Sequence, residues 1–254
     1  MIRIQNLWKK YGSIDVLKGL TLDVHQGEIL VILGRSGVGK SVLLRHIIGI
    51  EKPDHGTIEV DGVMMTDLKR GELYQAVKNM GMLFQGAALF DSMTIEENAA
   101  FYLKQHGDPK TGKPFTPEII RQKVTQALAM VGLEGTEQKM PSDLSGGMKK
   151  RAALARLIVY RPSILLYDEP TTGLDPITAQ QINELIVKTQ DELQGTSIVV
   201  THDIHSALFI ADRLALHQEG RIACVAEPQT FIDTDHPTIN FMRDSLKLNQ
   251  RKHQ

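Results

Sequence analysis

Apolar positions follow two rhythms along this chain. Residues 2–8 and 20–25 alternate apolar and polar, the pattern of strands with one face buried. Glu28–Leu33, Met80–Phe84, Ile164–Tyr167 and Ser197–Val200 are short continuous apolar runs instead, as in parallel strands covered on both faces. Gly12 and Gly27 mark turns beside the alternating strands. Asp61-Gly62 separates Thr57–Val60 from Val63–Met65 and predicts a hairpin. Helix is predicted from about Gly39, from Thr116 as cap with Pro117 at the first helical position, and after Ser145. Ile120, Val124, Leu128 and Val131 repeat at helical spacing, and Gly132 stops that helix. Ala152, Ala153, Ala155 and Leu157 fill the next one, Thr178–Leu193 forms a further helix, and Pro228–Leu246 reads as two short ones. Gln105–Phe115 is dense in turn residues and reads as an exposed loop. Residues 86–160 are therefore mostly helical, inserted between strands of an α/β core.

Composition narrows the class without naming it. The chain has 254 residues, 42% hydrophobic and 23% charged, the balance of a folded globular protein. Its 29 Lys and Arg nearly cancel its 30 Asp and Glu, so no global positive charge argues for a nucleic-acid partner. The basic tail Arg251-Lys-His253 reads as a solvated end. Cys224 is the one cysteine, which suits a reducing compartment and reads as a small apolar strand residue. A membrane-spanning helix needs about 20 mostly apolar residues, and the apolar runs here are far shorter. The N-terminus lacks the apolar core of a signal peptide. A transport pathway, if there is one, is expected in another chain.

Candidate chemistry follows the strands. Gly34, Arg35, Ser36, Gly37, Val38, Gly39, Lys40 and Ser41 fit G-x-x-x-x-G-K-[ST], after a buried run and before a helix, the context a phosphate-binding loop requires. Its backbone N–H groups and the helix dipole favour phosphate, Lys40 would pair with the β- and γ-phosphates, and Ser41 would bind Mg²⁺. Asp168 and Glu169 end an apolar strand, where one carboxylate can hold Mg²⁺ and the other can serve as general base. Leu144-Ser145-Gly146-Gly147 places a hydroxyl and two glycines at a helix start. That is both an N-cap and a second anion site in a chain that already has one, with Gly146 expected to leave no room for a side chain. Gln85 after a strand, His202 after another and Tyr11 in a turn are each open to a structural reading when taken alone.

The order of these motifs resembles the nucleotide-binding subunit of ABC transporters, from about Ile2 to about Glu227. The resemblance implies a P-loop NTPase fold: a RecA-like parallel-sheet α/β core, an antiparallel β-subdomain and an inserted α-helical subdomain at about 86–160. Residues 2–227 would be the ATPase domain, and 228–254 a C-terminal helical extension and tail. It implies ATP and Mg²⁺ as cofactors, with Ser41, Gln85 and Asp168 on the metal. Glu169, His202 and Gln85 would act in hydrolysis, and Tyr11 would stack on adenine. Ser145, Gly146 and Gly147, with Asp175 of the Gly173-Leu174-Asp175 loop, would complete the ATP site of a second copy in a head-to-tail dimer. Gly86-Ala-Ala-Leu-Phe-Asp-Ser92 and Met148-Lys-Lys-Arg look like the Mla-type ATPases, which serve phospholipid transport between envelope membranes. Partners would then be an MlaE-type permease, a STAS-domain protein and an Mce-domain protein, at the cytoplasmic face of the inner membrane. A small-solute importer ATPase and a soluble scaffold ATPase for iron–sulfur assembly remain alternatives.

Overall fold

The computed structural model describes residues 1–108 and 111–251. Part of the Gln105–Phe115 loop and the end of the basic tail lie outside these. In chain order the elements begin with strands β1 (Ile2–Tyr11), β2 (Ile14–Val24) and β3 (Ile29–Leu33), then helix α1 (Lys40–Ile47). Strands β4 (His55–Val60) and β5 (Val63–Met64), helix α2 (Arg70–Ala76) and strand β6 (Met80–Leu83) follow. Next come helices α3 (Ile95–His106), α4 (Pro117–Met130) and α5 (Gly146–Ile158), strand β7 (Ile164–Asp168) and helix α6 (Pro176–Leu193). The chain continues with β8 (Thr196–Thr201), α7 (Ile204–Ile210), β9 (Arg213–Gln218), β10 (Arg221–Ala226), α8 (Pro228–Asp233) and α9 (Pro237–Arg251).

These elements form two compact units, Met1–Val77 with Thr196–Gln254, and Lys78–Gly195. In the first, β2, β1, β4 and β5 lie in that order in an antiparallel sheet. Ile2 pairs with both Val24 and Val60, and Ile4 with Leu22 and Ile58, so the alternating apolar positions share one buried face. The first two strands run longer than their alternation. Irregular register near Asn6, which sits at φ 49, lets polar Lys9–Tyr11 pair as well. In the same unit β3 lies between β8 and β9, parallel to both, and β9 turns back into β10. All five residues of β3 and all six of β8 are buried, as the continuous runs require. The β9–β10 hairpin, α2 and α7 were not legible in the pattern. Asp212 accepts from the Ile29 amide at 2.7 Å, and Arg213 pairs with Glu28 at 3.1 Å, fixing the base of β3. The C-terminal helices dock on this unit through fully buried Phe231 and Ile239, and α9 runs beyond Leu246 to Arg251.

In the second unit β6 and β7 pair in parallel, Met80 opposite Ile164 and Leu83 opposite Tyr167. Helices α3, α4 and α5 pack on one another, and α5 packs on β6 and α6. The predicted starts appear: Thr116 accepts from the Ile119 amide with Pro117 at the first position, and Ser145 caps α5. Val124, Leu128 and Val131 are buried, and Gly132 ends the turn at φ 67. The start of α3 was not anticipated, although Thr94 and Glu97 make a reciprocal capping box there.

Candidate functional site

The candidate residues fall into two sets, one in each unit. In the first, the chain leaves β3 at Gly34, whose amide donates to Thr201 O at 3.3 Å, beside the end of β8. A Cβ at Gly34 would stand 2.6 Å from the His217 carbonyl oxygen, so β9 approaches the loop as closely as backbone permits. Gly39 caps α1 in the left-handed region, at φ 103, and a Cβ there would meet Val16 at 2.6 Å. No acidic residue occupies the first turn of α1, so the dipole end and its N–H groups suit an anion. Arg35, Ser36 and Gly37 are exposed, Val38 and Ser41 are half-buried, and Lys40 is 5% exposed. The Lys40 ammonium donates to Gly34 O at 2.8 Å and Arg35 O at 3.0 Å. A buried cation held by loop carbonyls beside a helix N-terminus fits a triphosphate. His202 is exposed immediately after β8, where Asp203 caps α7.

Tyr11 ends β1 and is 41% exposed, with the Lys9 ammonium 5.5 Å from its ring centroid. Its hydroxyl bonds Glu51, which also pairs with Arg45 at 3.1 Å. Burial, then the bond to Glu51, pushes the phenol up to about 12. The hydroxyl is thus tethered while the ring remains accessible.

In the second unit β7 delivers Asp168 and Glu169 to its end, both buried. Glu169 sits at φ 48, and Thr172 donates to its carboxylate at 3.0 Å. Gln85 is exposed just past β6. Ser145 accepts from the Met148 amide at 3.3 Å as the cap of α5. The two glycines after it differ. A Cβ at Gly147 would lie 2.4 Å from Thr178, whereas one at Gly146 meets Leu174 at 3.7 Å, an ordinary contact. Within one chain the lack of room expected at Gly146 is therefore not seen, since its Cβ would meet only Leu174, on an exposed edge. Asp175 caps α6, accepting from the Thr178 hydroxyl at 2.6 Å and from the Ile177 and Thr178 amides. The bond from that hydroxyl leads in holding its carboxyl below the usual range. Among the described residues no group of three or more His, Cys, Asp or Glu could hold a metal, and no helix is long and apolar enough to cross a membrane.

The sequence profile of the ABC transporter family matches residues 17–172. The chain belongs to the ABC transporter family. It is an ATP-binding subunit of that family and an ATPase, with the P-loop NTPase fold. The ADP- and Pi-bound, dimeric post-hydrolysis structure of the ATP-binding cassette MJ0796 is 32% identical, with a TM-score of 0.81 over 90% of this chain and 99% of that one. The intermembrane phospholipid transport ATP-binding protein MlaF of Haemophilus influenzae is 44% identical over 96% of this chain and 90% of its own. The "Probable ribonucleotide transport ATP-binding protein mkl" of Mycobacterium leprae is 37% identical over 94% of this chain and 67% of its own, and that of Mycobacterium tuberculosis over 65% of its own. The chain therefore spans about two thirds of the mycobacterial relatives.

Around the motifs of this ABC ATPase stand residues that sequence reasoning missed. His217 of β9, 1% exposed, lies against the phosphate loop and, among the described residues, has no hydrogen-bond partner at either ring nitrogen. Asn98 of α3, fully buried, bonds the Phe90 amide and the carbonyls of Phe90, Met93 and Thr94, which shapes the chain after Gln85. Lys150 of α5 is 6% exposed. It lies in the run Lys149-Lys150-Arg151, to which no role was assigned, but it follows Gly147 by three and precedes Leu154 by four, the spacing of the buried face. No comparable signal marks His217, whose position depends on strand order alone.

Proposed function

We propose that this chain hydrolyses MgATP for a phospholipid transporter, as a head-to-tail pair of copies beneath a membrane permease. The buried Lys40 ammonium in a loop open at a helix N-terminus is the observation that carries nucleotide hydrolysis. Residues 34–41 would cradle the phosphates and Tyr11 the adenine. Ser41, Asp168 and Gln85 would hold Mg²⁺, which neutralises phosphate charge. Glu169 would take the proton of the attacking water and His202 would contact the γ-phosphate, with Gln85 orienting the water. Ser145, Gly146 and Gly147 would meet the γ-phosphate held by the other copy, with Asp175 ordering the loop beside it. Residues 2–227 would form the ATPase domain, carrying a helical subdomain at about 86–160, and 228–254 its C-terminal extension.

Phospholipid as cargo is supported by 44% identity that reaches across 90% of MlaF. The chain matches only 67% of the ribonucleotide-transport relative, which supports a nucleotide cargo less well. An MlaE-type permease, with STAS-domain and Mce-domain proteins, would complete the complex at the cytoplasmic face of the inner membrane. The test is to isolate the intact complex through this chain, identify its membrane subunit, and follow ATP-dependent transfer of a fluorescent phospholipid between vesicles. Transfer that stops in the Glu169→Gln complex is expected. A complex that moves no phospholipid but takes up ribonucleotides would overturn the cargo.

A further inference from the structure

Helix α5 carries two basic side chains, buried Lys150 and half-buried Arg156, that bond backbone carbonyls of their own unit. Lys150 donates to the Gln85 carbonyl and, at 3.5 Å, to the Glu169 carbonyl. Arg156, six residues further, donates to Ala88 O at 2.7 Å and Ala87 O at 3.4 Å, and its guanidinium stands 5.4 Å from the Phe90 ring centroid. Both carbonyls it holds belong to non-glycine residues in the left-handed region, Ala87 at φ 63 and Ala88 at φ 51. Glu169 is in the same region at φ 48. Such backbones are strained for residues other than glycine and persist only where surrounding contacts fix them.

Lys150 is the contact common to both segments. A lysine so buried is unusual without compensation. Burial draws its pKa down, and the carboxylates of Asp168 and Glu169 oppose that. A neutral side chain of similar length could fill the space, but it could not offer one compact charge with three donors to two carbonyls and two carboxylates.

We propose that Lys150 is a positioning residue for ATP hydrolysis: its ammonium ties the backbones of Gln85 and Glu169 to helix α5, so that these two groups and the Ser145–Gly147 end of that helix move as one body. The proposal rests on the hydrolytic roles assigned to Gln85 and Glu169. It adds the physical link between them and the edge that would face a second copy. Nucleotide binding through Lys40 does not pass through this link.

The test compares Lys150→Met, which keeps length and apolar stem, with Lys150→Arg and Lys150→Gln, in the full chain and in its isolated transporter complex. ATPase kcat and KM, MgATP affinity by nucleotide titration, and thermal unfolding are measured together. Misplacing a catalytic group by about 1 Å costs up to about 100-fold. Lys150→Met is therefore expected to lose about 10- to 100-fold in kcat with MgATP affinity within about twofold, and Lys150→Arg to recover most of the loss. Hydrogen exchange should rise at 85–88 and 169–172 and stay unchanged in the phosphate loop. Wild-type kcat in Lys150→Met would overturn the proposal, as would equal losses in Met and Arg variants at equal thermal stability. Should Lys150→Met fail to fold, Lys150→Gln takes its place, and a kcat equal to that of Lys150→Arg is the refuting result. Glu169→Gln is run alongside. If it stops turnover while the Lys150 variants do not, the link fails and the hydrolytic reading stands. If it hydrolyses ATP normally, the reading of Glu169 itself fails.

Discussion

Acid should destabilise this protein through one histidine, and the amount follows from the structure. His217 is 1% exposed, and among the described residues neither ring nitrogen has a hydrogen-bond partner. Burial, and then the Lys40 charge, pushes its pKa from 6.5 down to about 4. The folded chain thus keeps the ring neutral at pH values where the unfolded chain protonates it. The depressed folded value fixes the sign: the contribution is fully present above pH 6.5 and is lost as pH falls towards 4. Each pH unit in that window is worth about 1.4 kcal/mol, so roughly 2 kcal/mol has gone by about pH 5. His217→Leu keeps an apolar volume and removes the titration. Since the imidazole satisfies no partner, the replacement should be neutral or stabilising at neutral pH. Urea unfolding of both proteins at about pH 7.5 and pH 5 isolates the term, because all other groups titrate alike. The variant should gain about 2 kcal/mol on the wild type between the two conditions. An unchanged difference between the two proteins would show that His217 is solvated or partnered, and would refute the argument.

Other consequences are open to direct measurement. Lys40→Ala removes the buried ammonium from the loop, and MgATP affinity should fall at least about tenfold in a nucleotide titration. Glu169→Gln should bind MgATP and slow hydrolysis by about 10²–10⁴-fold, with gel filtration showing an ATP-trapped dimer. Gly146→Asp should fold normally, since its Cβ would meet only Leu174 at 3.7 Å. It should bind MgATP and lose turnover, and mixing with Lys40→Ala should restore at most one working site per dimer; full activity of the purified variant alone would remove the head-to-tail arrangement. Asn98→Ala leaves the Phe90 amide without its acceptor and removes the side-chain bonds to the carbonyls of Phe90, Met93 and Thr94. It should cost about 1–3 kcal/mol in urea unfolding.

What the sequence determined by itself was local. A continuous apolar run stopping at Gly34 and a helix expected from about Gly39 fix a strand–loop–helix, because hydrophobic period and glycine freedom act over a few residues. The caps Thr116 and Ser145 were legible for the same reason: a hydroxyl one position before a helix bonds that helix's own amides. Strand lengths were less so, since pairing with β2 carries the polar end of β1 where alternation alone stops. Tertiary structure decided which residues are brought together over long distances. Lys150 carries no role in the sequence until β7 and the Gln85 segment are placed around α5. His217 has no local mark at all, and it becomes a neighbour of the phosphate loop only because β9 pairs with β3. Gly146 and Gly147 are one motif in the sequence, yet the packing of Thr178 closes the second and leaves the first open. Local chemistry chooses the element, but burial and charge at a given side chain are properties of whatever the fold sets against it, and that is not written beside the residue.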